Sequence, residues 1–244
     1  MKNMVKYTRG GLMVLRVYEI AVKVYLIRNI EKDNMFESIT EVIDSTLSRS
    51  EEFLEFHNKN CYKNYCNNGF YPLESDGIYK EDNIYTFQIR TIDEALAKYF
   101  IENLANTSTK YIKVLKTDIK IISKKHIDKV FSITPIVIKD STGYWKGNIS
   151  LDEFENRIKT NLIKKYNSFT GKKIDEDFEF YTRFEFKNNK PIAVNYKNIK
   201  LLGDKIQFNI ADDEVSQTIA YMALGTGVGE NNSRGAGFIG FRWL

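Results

Sequence analysis

Gly225-Thr-Gly-Val-Gly229-Glu-Asn-Asn232-Ser233-Arg234-Gly235-Ala-Gly237-Phe238 stands near the end of the 244-residue sequence, after an apolar helical run, Thr218 to Leu224, and before an apolar strand pattern, Phe238 to Trp243. Five glycines fall within positions 225–237. They allow positive φ angles and close backbone approach, while Asn231, Asn232, Ser233 and Arg234 supply donors suited to phosphate oxygens. Three familiar loops fail against it. A dinucleotide fingerprint requires G-x-G-x-x-G between a strand and a helix, whereas here the order is helix then strand. A Walker loop requires Gly-Lys-Ser/Thr, which is absent. Arg234-Gly-Ala-Gly-Phe238-Ile-Gly-Phe241 comes within one residue of a single-strand RNA signature, but Ala236 replaces the stacking aromatic. The loop suits a polyanion; a solvated connector is the plainer alternative.

Working outward, Leu15 to Leu26 is β-rich and partly alternating, and a helical stretch with Phe36, Ile39, Ile43, Leu47, Phe53, Leu54 and Phe56 ends at Glu55-Phe56-His57. Phe70 to Leu73 is a short strand or hairpin; Ile84 to Arg90 is a strand. Thr91-Ile-Asp-Glu94 has the form of a capping box for a helix through Leu104, and Tyr111 to Ile122 is a strand. This order is β-α-β-β-α-β, the ferredoxin-like plan. It then repeats: a strand at Val130 to Ile138, a capping box Ser150-x-x-Glu153 opening a helix to about Phe169, a strand at Phe178 to Phe186, a hairpin from Ala193–Leu202 with Lys205–Ile210, a helix at Asp213 to Leu224 and the last strand. The expected fold class is α+β, two tandem ferredoxin-like (RRM-like, βαββαβ) domains: an extension at 1–12, an N-terminal domain at 13–125 and a C-terminal domain at 126–244.

Hydrophobic content of 43% and charged content of 28% describe a globular chain. No apolar run approaches membrane-spanning length, and Met1 to Gly11 lacks a signal-peptide core, so no membrane partner and a cytoplasmic location are expected. The net charge of +4 is mild, but Lys110, Lys113, Lys116, Lys120, Lys124, Lys125 and Lys129 punctuate one stretch. They suit either a lysine-guarded strand edge or a phosphate-tracking groove. His57, Cys61 and Cys66 form H-x3-C-x4-C, too sparse for an ordinary structural zinc site, and Asp175 and Asp177 are adjacent loop acids, so no metal or cofactor is expected.

The glycine loop, of the form G-x-G-x-G-E-x-N-S/A-x-G-x-G-F between last helix and last strand, resembles that of the CRISPR-associated endoribonucleases that cut repeat RNA into guide RNAs. Tyr79 to Thr91 and Phe131-Ser-Ile-Thr-Pro-Ile136 are similar to other stretches of that family, so the resemblance spans nearly the whole chain. It implies two ferredoxin-like domains and CRISPR repeat RNA, precursor and guide, as partner, with effector-complex subunits as further partners. It also implies metal-independent cleavage to a 2′,3′-cyclic phosphate and a 5′-OH.

The resemblance places catalytic roles on His57, at the end of the first helical stretch, and on Lys63, six residues later. A histidine transfers protons near neutral pH, and a lysine stabilises charge that builds on phosphate oxygens. RNA contacts are expected from Gly225, Gly227, Gly229, Asn232, Ser233, Arg234, Gly235 and Gly237 of the loop and from Lys124 and Lys125. The sequence departs from some members in lacking a tyrosine in the first helix, around Ser38-Ile-Thr40; Tyr62 or Tyr65 is the substitute, or the site works with two groups. His126 suits interdomain packing or an RNA contact. A non-catalytic RNA-binding subunit of the same superfamily is the alternative.

Overall fold

The computed structural model describes residues 15–140, 143–196 and 199–244. The expected extension at 1–12 lies outside the described residues. The first half places β1 (Val17–Leu26), α1 (Met35–Leu47), α2 (Glu51–Asn58), β2 (Tyr65–Asn67), β3 (Ile84–Thr91), α3 (Glu94–Asn103) and β4 (Ile112–Ile122) in chain order. The strands form an antiparallel sheet ordered β2-β3-β1-β4. Alternation in β1 sends Tyr18, Ile20, Val22, Val24 and Leu26 into one core with Ile39, Val42, Ile43 and Leu47 of α1 and Leu96, Ala97 and Phe100 of α3.

Two local expectations are corrected here. The single helical stretch from Phe36 to Phe56 is two helices, because Ser48-Arg49-Ser50 offers no apolar side chain to the core and Ser50 turns extended (φ −120°) ahead of Glu51 and Glu52. Thr91 is not the N-cap of α3. It ends β3, and the Asp93 carboxylate accepts from the amides of Ala95 and Leu96 at 2.9 and 3.1 Å.

The second half repeats the plan with β5 (Ile127–Ser132), α4 (Leu151–Thr170), β6 (Tyr181–Phe186), β7 (Ile192–Tyr196), β8 (Ile199–Gly203), β9 (Ile206–Ile210), α5 (Glu214–Thr226) and β10 (Ile239–Trp243). Its main sheet is ordered β6-β9-β5-β10, the same permutation as the first. Ser150 caps α4 by accepting from the Glu153 amide at 3.1 Å, as its capping box requires, and Asp213 caps α5 through the Ser216 amide. The expected strand 130–138 is shorter: β5 stops at Ser132, and Ile136 and Val137 instead bridge to Asp204 and Glu230. The expected hairpin is also redrawn. β7 pairs with β8 as a separate ribbon, whereas β9 enters the main sheet because Ile206, Phe208 and Ile210 alternate into its core.

α5 packs against both halves. Ile219, Ala220, Tyr221, Ala223 and Leu224 share a core with Val17, Ile92 and Ile122 from the first half. The Tyr221 hydroxyl donates to the Ile122 carbonyl at 2.6 Å and accepts from the Val17 amide at 3.2 Å. Arg90 is a second joint. Only 5% exposed, it pairs with Glu19 at 2.7 Å, donates to the Ile239 carbonyl at 2.6 Å and stacks over Phe238. No helix among the described residues is long and apolar enough to cross a membrane.

Candidate nucleic-acid interface

The joint between the halves opens on one side as a polar cleft of about 320 Å³. One wall is the α2–β2 loop, with Asn60, Cys61, Tyr62, Lys63 and Asn64; the other is the glycine-rich loop, with Gly229, Glu230, Asn231, Asn232, Ser233 and Arg234. Asn161 and Lys165 of α4, together with Lys139, complete it. Lys63, Lys139, Lys165 and Arg234 thus face a space lined, among the described residues, by the single acid Glu230.

Lys63 reaches back over the end of α2. Its ammonium donates to the carbonyls of Phe56, His57 and Lys59 at 2.7, 2.8 and 2.6 Å, occupying acceptors that a helix C-terminus leaves unpaired. Burial lowers its pKa, and the neighbouring Arg234 charge pushes the same way; Cys61 and Asp44 oppose them. His57 sits just outside the cleft on the last turn of α2, its side chain 36% exposed and its Nδ1 3.4 Å from the Asp44 carboxylate of α1. Tyr62 lines the cleft, with its pKa raised by burial and then by Glu230. Tyr65 also borders it but is buried, its ring edge-on to Phe100. Thr40 is buried, its hydroxyl oxygen without a hydrogen-bond partner.

The glycines are closely approached by the protein itself, by backbone at Gly225, Gly229 and Gly237. Gly225 abuts Ile92, Gly227 abuts the Asn232 side chain, Gly235 abuts the Phe36 ring, and a Cβ on Gly237 would overlap the Val228 carbonyl. Gly227, Gly229, Gly235 and Gly237 all hold positive φ, as does Asn231. Of the loop residues expected to meet RNA, Gly229, Asn232, Ser233 and Arg234 line the cleft; Gly225, Gly227, Gly235 and Gly237 are buried behind it and shape it.

Lys124 and Lys125 do not line the cleft. Lys124 donates to Thr218 near the start of α5 at 3.3 Å, and Lys125 is exposed on the connection between the halves. Of the lysine run, Lys113, Lys116 and Lys120 lie on β4 at the sheet edge, where Lys116 pairs with Asp118 at 2.7 Å and Lys120 with Glu19 at 2.9 Å, and Lys129 lies on β5. His126 pairs with Asp212 at 2.9 Å on the surface. Cys66 is buried at the joint, its thiol pushed up to about 12 by desolvation, with Sγ toward the Leu224 and Gly225 carbonyls.

Sequence reasoning missed Lys165. It occupies an apolar position of α4, at the spacing Ile158, Leu162, Lys165, Phe169, and that position was the available signal. Only 4% exposed, its ammonium donates to the carbonyls of Gly227 and Gly229, both at 2.9 Å, and to Asn232 Oδ1 at 2.7 Å. The Asn232 amide in turn donates to the Val228 and Ala236 carbonyls, both at 3.0 Å. Four loop carbonyls are thereby gathered around two side chains.

Comparison with known families places this architecture. The profile described as CRISPR associated protein Cas6, C-terminal, matches residues 116–241, more than half of the chain. The chain belongs to the Cas6 family. No curated protein sequence matches it. Among solved structures, a CRISPR associated protein Cas6 superposes with a TM-score of 0.70 at 21% identity, covering 93% of this chain and 99% of that one. The product of a Cas6-related gene from Pyrococcus furiosus gives 0.65 at 17% identity (93% and 98% covered), and Thermus thermophilus Cas6 gives 0.60 at 12% (94% and 99% covered). At these identities the likeness concerns the fold, tandem ferredoxin-like domains, which this chain shares over nearly its full length.

Proposed function

We propose that this chain is a metal-independent endoribonuclease that binds CRISPR repeat RNA and cuts it once per repeat to give guide RNAs. The observation that carries the reading is the basic cleft between the α2–β2 loop and the glycine-rich loop, with His57 at its margin. Solved relatives point the same way: one is a RAMP protein binding different RNA substrates (TM-score 0.67, 20% identity), and another is a Cas6 product complex. The working domains are residues 13–125 and 126–244, meeting at the cleft, in a cytoplasmic protein whose partners extend to effector-complex subunits.

In the proposed reaction the ribose 2′-oxygen attacks its adjacent phosphorus as the bond from phosphorus to the 5′ oxygen breaks. His57 takes the 2′-OH proton or supplies one to the leaving oxygen, and its Asp44 contact through Nδ1 would leave Nε2 for that exchange. Lys63 and Arg234 face the charge that grows on the phosphoryl oxygens. Of the two tyrosines expected to supply a third group, Tyr62 is the better placed, since it lines the cleft while Tyr65 is buried against Phe100. The nucleophile is already positioned beside its phosphate, so no metal-bound water is required.

One observation favours a second reading, a non-catalytic repeat-RNA-binding subunit: the Lys63 ammonium is committed to three carbonyls of its own helix end. Incubating the protein with a panel of CRISPR repeat transcripts separates the two. Fragments ending in a 2′,3′-cyclic phosphate support the enzyme, whereas a stable complex with intact RNA supports the binding subunit.

A further inference from the structure

The buried Lys165 ammonium has no direct part in the chemistry above. It reaches the glycine-rich loop from α4 at the wall of the cleft, and its three N–H bonds match three acceptors: the carbonyls of Gly227 and Gly229 and Oδ1 of Asn232. A neutral amine has only two N–H bonds and a lone pair, so one of those buried oxygens would lose its donor and face repulsion.

We propose that Lys165 is a positioning residue whose charged ammonium locks the glycine-rich loop in the shape that presents Ser233 and Arg234 to RNA, so that loss of its proton loosens the loop and weakens RNA binding. The inference rests on the RNA-binding reading of the cleft for its second half only. Asn232 transmits the lock. Its Oδ1 accepts from Lys165 while its amide holds the Val228 and Ala236 carbonyls, and it begins the single 3₁₀ turn, Asn232–Arg234, that carries the two cleft side chains.

The surroundings make the proton labile near neutral pH. Burial brings the Lys165 pKa down to about 7, against the opposing influence of Cys66 on β2 and Glu230 of the loop. Cys66 is itself held as the thiol by burial, so Glu230 is the charge that retains the proton. Lys63, Lys139 and Arg234 face the same cleft, and RNA phosphates there would add negative charge and favour the protonated lysine.

The test uses the full chain in a His57→Ala background, with a fluorescent copy of the repeat RNA titrated from pH 6 to pH 9. The expected result is strong binding at the acid end that falls about tenfold across a break near neutral pH. Lys165→Met should bind weakly and without that break, and Glu230→Gln should move the break to lower pH even where Lys165→Met fails to fold. Amide hydrogen exchange of residues 227–235, corrected for intrinsic rates, should show the same break in the absence of RNA. Identical pH profiles for Glu230→Gln and the parent, or a Lys165→Met profile that keeps the break, would overturn the proposal. If no variant binds RNA but the exchange break is present and moves with Glu230→Gln, the lock stands and the RNA-binding reading fails.

Discussion

Lys63 Nζ lies 2.8 Å from the carbonyl oxygen of His57, so the two proposed catalytic residues are joined through the end of the helix that carries one of them. This gives the lysine two separable effects. As a C-terminal cap it favours α2 and thereby fixes the backbone from which the imidazole projects.

Lys63→Met should therefore lower both stability and cleavage. The expected loss is about 1 kcal/mol for the cap of a partly exposed helix end, measured by urea denaturation, alongside a larger fall in cleavage rate. A variant with unchanged stability and reduced cleavage would assign Lys63 to chemistry alone.

Two glycines with the same backbone angle should respond differently to alanine. Gly77 and Gly229 both hold φ +74°, but a Cβ on Gly77 meets nothing within 4 Å, whereas one on Gly229 lies 2.6 Å from the Val137 carbonyl. Gly77→Ala should cost about 1 kcal/mol of backbone strain. Gly229→Ala should cost about 3 kcal/mol and weaken RNA binding. Chemical denaturation and RNA titration of the pair check both.

The repeated β-α-β-β-α-β order was legible because strands such as β1 write their alternation in Tyr18, Ile20, Val22, Val24 and Leu26, and because Ser150 stands where α4 needs a cap; the order of strands within each sheet was not. Thr91 misled because it matches a capping box by spacing alone: its hydroxyl accepts from the Asp93 amide, and the Asp93 carboxylate takes the first helical amides, those of Ala95 and Leu96. Lys63 was reached only through the family resemblance, whereas the cleft residues Ser233 and Arg234 were legible as donors in a glycine-rich stretch. Lys165 was not, since a charge at an apolar helix position is explained only by carbonyls more than sixty residues away that fold around it. Four of the five loop glycines hold the positive φ that their residue type allows, Gly225 being the exception, and their close neighbours Ile92, Asn232, Phe36 and Val228 are contacts that no local pattern encodes.

The Glu19 and Arg90 pair should govern acid sensitivity at the joint. Burial pushes the Glu19 pKa up, but Arg90 and Lys120 outweigh it and hold the carboxyl below its usual value. A folded value below the unfolded one means stability that is present above about pH 4.3 and lost as pH falls through the lower folded value. Glu19→Gln should be less stable than the parent at neutral pH and show a flatter decline below about pH 4. Parallel acid titrations by circular dichroism provide the check. Arg90→Met, which leaves that carboxylate with the Lys120 ammonium and the Gln88 amide but without its buried guanidinium, should cost about 3 kcal/mol.

In the proposed reaction His57 moves the proton in a cleavage whose nucleophile is the RNA's own 2′-OH. The most direct measurement is the single-turnover cleavage rate of the repeat transcript in excess EDTA, for the parent and for His57→Ala, with a matched substrate carrying a 2′-deoxy sugar just upstream of the cut. The account predicts full parental activity in chelator, a fall of about two to four orders of magnitude for His57→Ala with repeat affinity nearly intact, and no cleavage of the bound deoxy substrate. Cleavage of the deoxy substrate, or loss of activity in chelator with rescue by a divalent ion, would contradict it and direct attention to the loop acids Asp175 and Asp177.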